Sequence, residues 1–332
     1  METPVSIRPL LFKPHRLNGL SERLLVSHYE NNYGGALRRL NAIEARLAEL
    51  DWAYTPVFEI NGLKREELIA SGSVILHESY FDGLGGAGGD PAAGSDVAAA
   101  IERDFGSLSA WRAEFTGMAK AQAGGSGWTL LVWSPRLGRL VNEWAADHAH
   151  ALPGGVPVLA IDMYEHAYHL DFGARAAAYV DAVMANLDWP RIDARYRAAV
   201  GEETDPSVFL PAGAPAETEA RIAGEELLQK LTADDPAKPY LLDVCLTVDL
   251  PKRIDMLPGA VFRAPDTIAQ WADDLPRDCL IVVCCIYGFQ VSGETTVELR
   301  RRGYDARSLT GGVAAWHAIG GTTVPLDRST YG

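Results

Sequence analysis

The stretch Ile161-Asp162-Met163-Tyr164-Glu165-His166-Ala167-Tyr168-His169-Leu170 sets a carboxylate, Asp162, four positions ahead of an imidazole, His166. It follows the apolar run Val156-Pro157-Val158-Leu159-Ala160, which reads as a buried strand. A strand that delivers an Asp at its end and a His in the first turn of the next helix aims both side chains at one point. That supplies half of a mixed nitrogen/oxygen metal site. Alone, D-x-x-x-H is weak, because Asp and His four apart on a helix also make surface pairs. The apolar approach strengthens it, and so do two histidines far upstream, His28 and His77, each set in its own helical pattern.

At 332 residues the chain is long for one domain and suggests two. Its net charge of -14 argues against a nucleic-acid partner or an anionic membrane, both of which need a basic surface. No apolar run reaches the length of a membrane span. The opening Met1-Glu2-Thr3-Pro4-Val5 lacks the basic-then-apolar order of a secretory signal. A cytoplasmic enzyme or binding protein is the expectation. Seven of the eight histidines precede residue 170, and all four cysteines follow residue 244, so one half suits imidazole chemistry and the other thiol chemistry. Polar, Pro-rich and aperiodic residues place a linker at 201–219, between domains at 1–200 and 220–332.

In the first domain, Ser21 is a good N-cap for a helix whose later apolar stripe is Leu37, Leu40, Ile43, Leu47 and Leu50. Gly34-Gly35 interrupts that pattern, a kink or a place of close approach, at a cost of about 1 kcal/mol per glycine. A second helix, 65–81, carries His77, and a third is expected over 110–121 with Ser109 as its N-cap. Strands follow at 129–133 and 140–142, with a turn at Pro135-Arg136-Leu137-Gly138, and at 156–161. A closing helix is expected over 164–187. The order is an α-hairpin followed by an α/β half.

These residues resemble the iron/manganese superoxide dismutase family over almost all of 1–200. The family's D-x-W-E-H-A-Y appears as Asp162-Met163-Tyr164-Glu165-His166-Ala167-Tyr168, and its F-G-S…F…G-S-G-W-x-x-L-V block as Phe105-Gly106-Ser107, Phe115 and Gly125 to Val132. The resemblance implies His28, His77, Asp162 and His166 as ligands of one iron or manganese ion, superoxide as substrate, and a homodimer through this domain. Three neutral imidazoles and a carboxylate suit a redox metal. The chain also departs from the family. Where a Gln usually approaches the metal-bound solvent stands Ser73, too short for the task, and a gapped alignment offers His148 instead. The gateway Tyr is replaced by Ala36, the interface His by Asn32, and its Tyr partner by His169. Loss of that Tyr removes a gating and proton-relay group, which implies slower turnover. Glu165 fits a dimer contact by resemblance; His15 and His150 read as surface residues, and Trp128 as a core aromatic.

The second half alternates strands and helices: 240–244, 279–284 and 304–309 as strands, helices at 293–302 and after Gly311. That pattern implies a parallel sheet with helices on both faces. Cys285, at the end of a buried strand before a loop and a helix start, is placed where backbone N–H groups and the helix dipole favour a thiolate. This half resembles the rhodanese family through L-L-D-V, P-G-A, V-V-x-C-x-x-G and G-G-V-A-A-W. The resemblance implies Cys285 as a persulfide-carrying residue and a small sulfur donor as partner. Ile286 and Gln290 stand at the family's basic positions, which weakens thiosulfate as the donor, and no Arg closes the loop as in phosphatases of that fold. Cys284 should face the opposite side of the strand, and Cys245 and Cys279 read as small core residues. The leading expectation is a superoxide dismutase with an appended rhodanese-like domain. The alternatives are a sulfurtransferase with a weak or repurposed metal domain, or a non-catalytic metal-bearing sensor or docking protein.

Overall fold

The computed structural model describes residues 4–233 and 238–326. The chain divides into two compact units, residues 11–209 and residues 210–332 joined by the segment 2–10. The opening segment is tied into the second unit by the Ile7 amide, which donates to Glu225 Oε1 at 2.9 Å.

The first unit begins with α1 (Glu22–Ser27), capped as expected: Ser21 Oγ accepts from the Leu24 amide at 3.1 Å. A π-helical turn, His28–Tyr33, then runs straight into α2 (Gly34–Ala48). The glycine pair therefore breaks nothing. Gly34 keeps right-handed helical angles, and the irregularity sits one turn earlier, at His28 itself. Wide turns of this kind shift a side chain's direction along a helix and are frequent at functional sites. Helix α3 (Val57–Asp82) starts eight residues before its expected position. Its first turns are solvent-exposed, with Val57 and Phe58 open, so no apolar stripe announces them.

Helices α4 (Asp96–Phe105) and α5 (Leu108–Ala121) follow, and the cap of α5 is Ser107, not Ser109: its Oγ accepts from the Ala110 amide at 3.1 Å. Strands β1 (Trp128–Ser134), β2 (Arg139–Ala145) and β3 (Val156–Asp162) form an antiparallel sheet in the order β2-β1-β3. The register sets Asp162 opposite Trp128. The expected helix at 164–187 is broken into a 3-10 turn (Glu165–Ala167), the short α6 (His169–Phe172) and α7 (Ala176–Met184), with α8 (Trp189–Ala199) after it. Side-chain ties explain the break. Asp162 Oδ1 takes the Tyr164 amide at 2.8 Å, and Asp171 on α6 takes both the amide and hydroxyl of Ser21.

The second unit carries β4 (Arg221–Ile222), α9 (Gly224–Thr232), β5 (Tyr240–Asp243), β6 (Asp255–Met256), β7 (Val261–Phe262), α10 (Ile268–Trp271), β8 (Ile281–Cys284), α11 (Gln290–Arg301), β9 (Ala306–Leu309), α12 (Gly312–Ala318) and β10 (Val324–Pro325). Five of these strands make a parallel sheet in the order β4-β9-β8-β5-β7, as strand–helix alternation predicts. Leu242, Val244, Ile281, Val283, Leu299 and Ala306 pack one core beside it. The loop after β8 is held by the start of α12: Val313 and Ala314 donate their amides to the carbonyls of Cys285 and Ile286, each at 3.0 Å. Only glycine fits at 312, where φ is +60° and a Cβ would overlap the Cys285 carbonyl.

Candidate metal centre

Four elements bring one residue each to a single buried point. His28 opens the π-helical turn, His77 lies in the second half of α3, Asp162 ends β3, and His166 sits in the 3-10 turn that follows. One possible ligand atom from each lies within 4.8 Å of all the others. The imidazole Nε2 atoms of His28, His166 and His77 stand 3.0, 3.1 and 3.6 Å from one oxygen, Asp162 Oδ2. All four are buried except His166, whose side chain is 28% exposed and forms the open edge of the cluster.

The protonation pattern follows from the hydrogen bonds. His77 Nδ1 lies 2.7 Å from the Ser73 carbonyl, which can only accept, so the ring proton is on Nδ1 and Nε2 carries a lone pair. Burial, with the neighbouring His28 adding to it, pushes the His77 pKa down to about 3, which keeps the ring neutral. His28 is likewise lowered by burial. Burial alone would raise the Asp162 carboxyl, but hydrogen bonds from the His166 and His28 rings outweigh it and hold the group ionised. A buried carboxylate therefore faces the lone pair of a neutral His77 ring.

That arrangement is costly unless a positive ion completes it. His77 Nε2 and His28 Nδ1 are buried without a hydrogen-bond partner, and the first of these points at the cluster's centre. A metal ion would convert the unmatched His77 Nε2 lone pair and the carboxylate charge into ligand bonds. Three imidazoles with one carboxylate suit a first-row transition metal. The residues present thus fit the ion.

The surroundings are aromatic and small. Trp128, fully buried, donates its indole N–H to His148 Nδ1 at 3.0 Å. The His148 ring stacks on Tyr164 at 4.8 Å and lies 6.1 Å from the His77 ring, while Tyr164 stacks on His166 at 5.4 Å. Desolvation lowers the His148 pKa. Gly72 makes this packing possible, since a Cβ there would overlap the His148 carbonyl oxygen. The sequence reading missed both Gly72 and the Tyr164 stack. The pair Gly72-Ser73, one turn before His77, was the visible trace: small residues on α3 leave room for the loop that carries His148.

Ala36 and Asn32 are half-buried, and Glu165 and His169 are exposed, as are His15 and His150. In the second unit, Cys285 is 6% exposed with its Sγ 3.2 Å from Ser292 Oγ, and Cys284 is buried in the strand. Cys245 is buried but is more than an apolar filler, because Arg253 Nη1 donates to its sulfur at 3.0 Å. Cys279 is only half-buried and does not belong to the core.

Residues 93–195 match the family described as iron/manganese superoxide dismutases, C-terminal domain. The chain is 64% identical over 194 residues to a superoxide dismutase [Fe] of Cupriavidus metallidurans, an alignment covering 58% of this chain and 97% of that protein. It is 33% identical over 194 residues to the superoxide dismutase [Fe] of Aquifex aeolicus, with 57% and 89% covered. A superoxide dismutase [Mn] 2 of Haloferax volcanii is 34% identical over 189 residues, with 57% and 90% covered. With nearly the whole length of such a relative matched, and with a buried cluster of three imidazoles and a carboxylate fit to hold a metal ion, the chain belongs to the iron/manganese superoxide dismutase family.

Proposed function

We propose that the first unit disproportionates superoxide, turning two superoxide ions and two protons into oxygen and hydrogen peroxide, with His28, His77, Asp162 and His166 as the metal ligands. The single observation that carries this reading is the convergence of three Nε2 atoms on Asp162 Oδ2 within a buried pocket. The cofactor is one iron or manganese ion per chain, and when bound it supplies one-electron redox chemistry. The chain's own residues do the rest. Ser73 fixes the His77 tautomer, and the Tyr164 amide fixes the Asp162 carboxylate. His148 accepts from Trp128 at Nδ1, so its neutral ring holds its proton on Nε2, where it serves as the candidate proton holder beside the site. Superoxide is an anion and the chain is acidic overall, so the local positive charge of the bound ion has to draw it in.

Metal analysis joined to a superoxide-disproportionation assay tests this. Iron or manganese near one per chain, with activity lost in His77→Ala, is expected; a metal-free protein, or full activity in that variant, would sink the reading.

For the second unit we propose a rhodanese-like sulfur carrier with Cys285 as the accepting residue. The placement of its sulfur at the end of β8, 3.2 Å from Ser292 Oγ and ahead of α11, supports it. Four free cysteines suit the reducing cytoplasm, our proposed compartment, and no helix among the described residues is long and apolar enough to cross a membrane. A homodimer through the first unit is the assembly we propose, with the exposed Glu165 and His169 beside the open edge at His166 as its support.

A further inference from the structure

Cys245 and Cys285 lie just beyond the ends of two neighbouring parallel strands, β5 and β8. Strand β5 pairs with β8 up to Asp243 opposite Cys284, and the Val244 amide continues the ladder to the Cys284 carbonyl at 2.9 Å. Immediately beyond that bond the two thiols pack into one small cluster, closed by Phe262, Ile286 and Val291. On that register Val244 is level with Cys285, and Cys245 lies one residue further on. Strands about 4.8 Å apart with a rise of about 3.3 Å per residue leave the two Cα atoms roughly 6 Å apart, inside the roughly 4.4–6.8 Å that a disulfide spans. Neither sulfur is a bare core filler. Cys285 Sγ has Ser292 Oγ at 3.2 Å, and Cys245 Sγ has the guanidinium of Arg253 at 3.0 Å. Arg253 is itself buried and is anchored to Asp243 Oδ2 at 2.6 Å, while Asp243 Oδ1 takes the Cys245 amide at 3.0 Å. Burial and the neighbouring Asp243 carboxylate push the Cys245 thiol up, and the guanidinium seated on its sulfur opposes them, favouring charge that develops there during attack.

We propose that Cys245 is the resolving thiol for a persulfide carried on Cys285, so that the second unit reduces sulfane sulfur to hydrogen sulfide. This rests on the reading of Cys285 as a sulfur acceptor. A low-molecular-weight persulfide, RSSH, first passes its outer sulfur to Cys285, giving RSH and Cys285–S–SH. The Cys245 sulfur then attacks Cys285 Sγ. The new Cys245–Cys285 bond forms as the Sγ–SH bond breaks, and hydrosulfide leaves with that electron pair and takes up the proton that Cys245 gives up. The sulfane sulfur gains two electrons, the two cysteines lose them, and a cellular dithiol reductant returns the disulfide to thiols. Arg253 serves the step by holding charge on Cys245 Sγ, both as it attacks and when the disulfide is reopened.

The test uses the full chain, with glutathione persulfide as the probe. The wild type should release sulfide in step with formation of a Cys245–Cys285 linked peptide, read by mass spectrometry. Cys245→Ser should hold the persulfide on Cys285 and lose sulfide release, Cys285→Ser should lose both, and Cys279→Ser should behave as the wild type. Sulfide release by Cys245→Ser at the wild-type rate overturns the resolving role while leaving Cys285 as the acceptor. No persulfide on Cys285 in either protein overturns the acceptor reading, and the proposal with it. Diamide, a thiol oxidant that needs no sulfur donor, tests the pairing separately: it should link Cys245 to Cys285 in the wild type, and failure to do so shows that the two sulfurs cannot meet.

Discussion

Each unit buries an aspartate at the end of a strand, and the two solve the problem of its charge in opposite ways. Asp162 is surrounded by three imidazoles, of which His77 is held neutral, and the cluster retains buried ring nitrogens with no partner. Asp243 has Arg253 at 2.6 Å and the Cys245 amide at 3.0 Å, so its charge is answered within the protein. An arginine is cationic at any ordinary pH, whereas a buried histidine sheds its proton. One unit is therefore incomplete without an external cation, and the other is complete as folded.

The contrast is broken most directly by removing a nitrogen ligand. His77→Ala should lose at least about 100-fold in metal affinity, since even outer partners of metal ligands are worth 10–100-fold. Metal content and superoxide disproportionation should fall together, while the second unit's unfolding transition stays in place. The reciprocal change, Arg253→Met, leaves Asp243 buried and unpaired and should cost about 3–5 kcal/mol in the second unit. Urea unfolding should show this as a lower midpoint for that unit's transition, with metal content unchanged.

A smaller effect is expected from Gly72→Ala. The new methyl meets the His148 carbonyl, and overpacking of this kind costs roughly 1–3 kcal/mol. The loop must move, so activity should drop more than metal content does; equal losses would show that His148 acts only through the fold. Smallest is the pH dependence of the metal-free protein. His77 has its pKa lowered from 6.5 to about 3 on folding, so the unfolded state binds the proton more readily between those values. Asp162, held low in the folded state, pulls in the same direction, because its contribution is lost on acidification. The melting temperature of the first unit should therefore decline as pH falls from about 6.5 towards 3. Bound metal should oppose the decline for as long as it stays in place, and the second unit should not share this dependence.

Much of this was legible in residue order. The apolar run ending at Asp162, the His four positions on, the Ser21 cap and the strand–helix alternation after residue 240 are local patterns, and local patterns survive in a linear reading. What failed locally had tertiary causes. The helix expected over 164–187 is broken because Asp162 and Asp171 tie the segment to other elements. The early start of α3 went unseen because its first turns are exposed and carry no stripe.

The division is sharpest at the two sites. Residue types and spacing by themselves marked Asp162 and His166 as half of a metal site and Cys285 as a thiol poised before a helix. The family resemblances added His28 and His77 as further ligands and sulfur as the cargo. Only the tertiary structure decided what those side chains face. It turned the His77 lone pair toward Asp162 and brought His148 over Gly72 onto Trp128 and Tyr164. It also set Cys245, read from sequence as a core filler, against both Cys285 and Arg253. Chemistry resides in the residue and is visible in the chain, whereas charge compensation depends on distances between segments far apart in sequence, which only packing fixes.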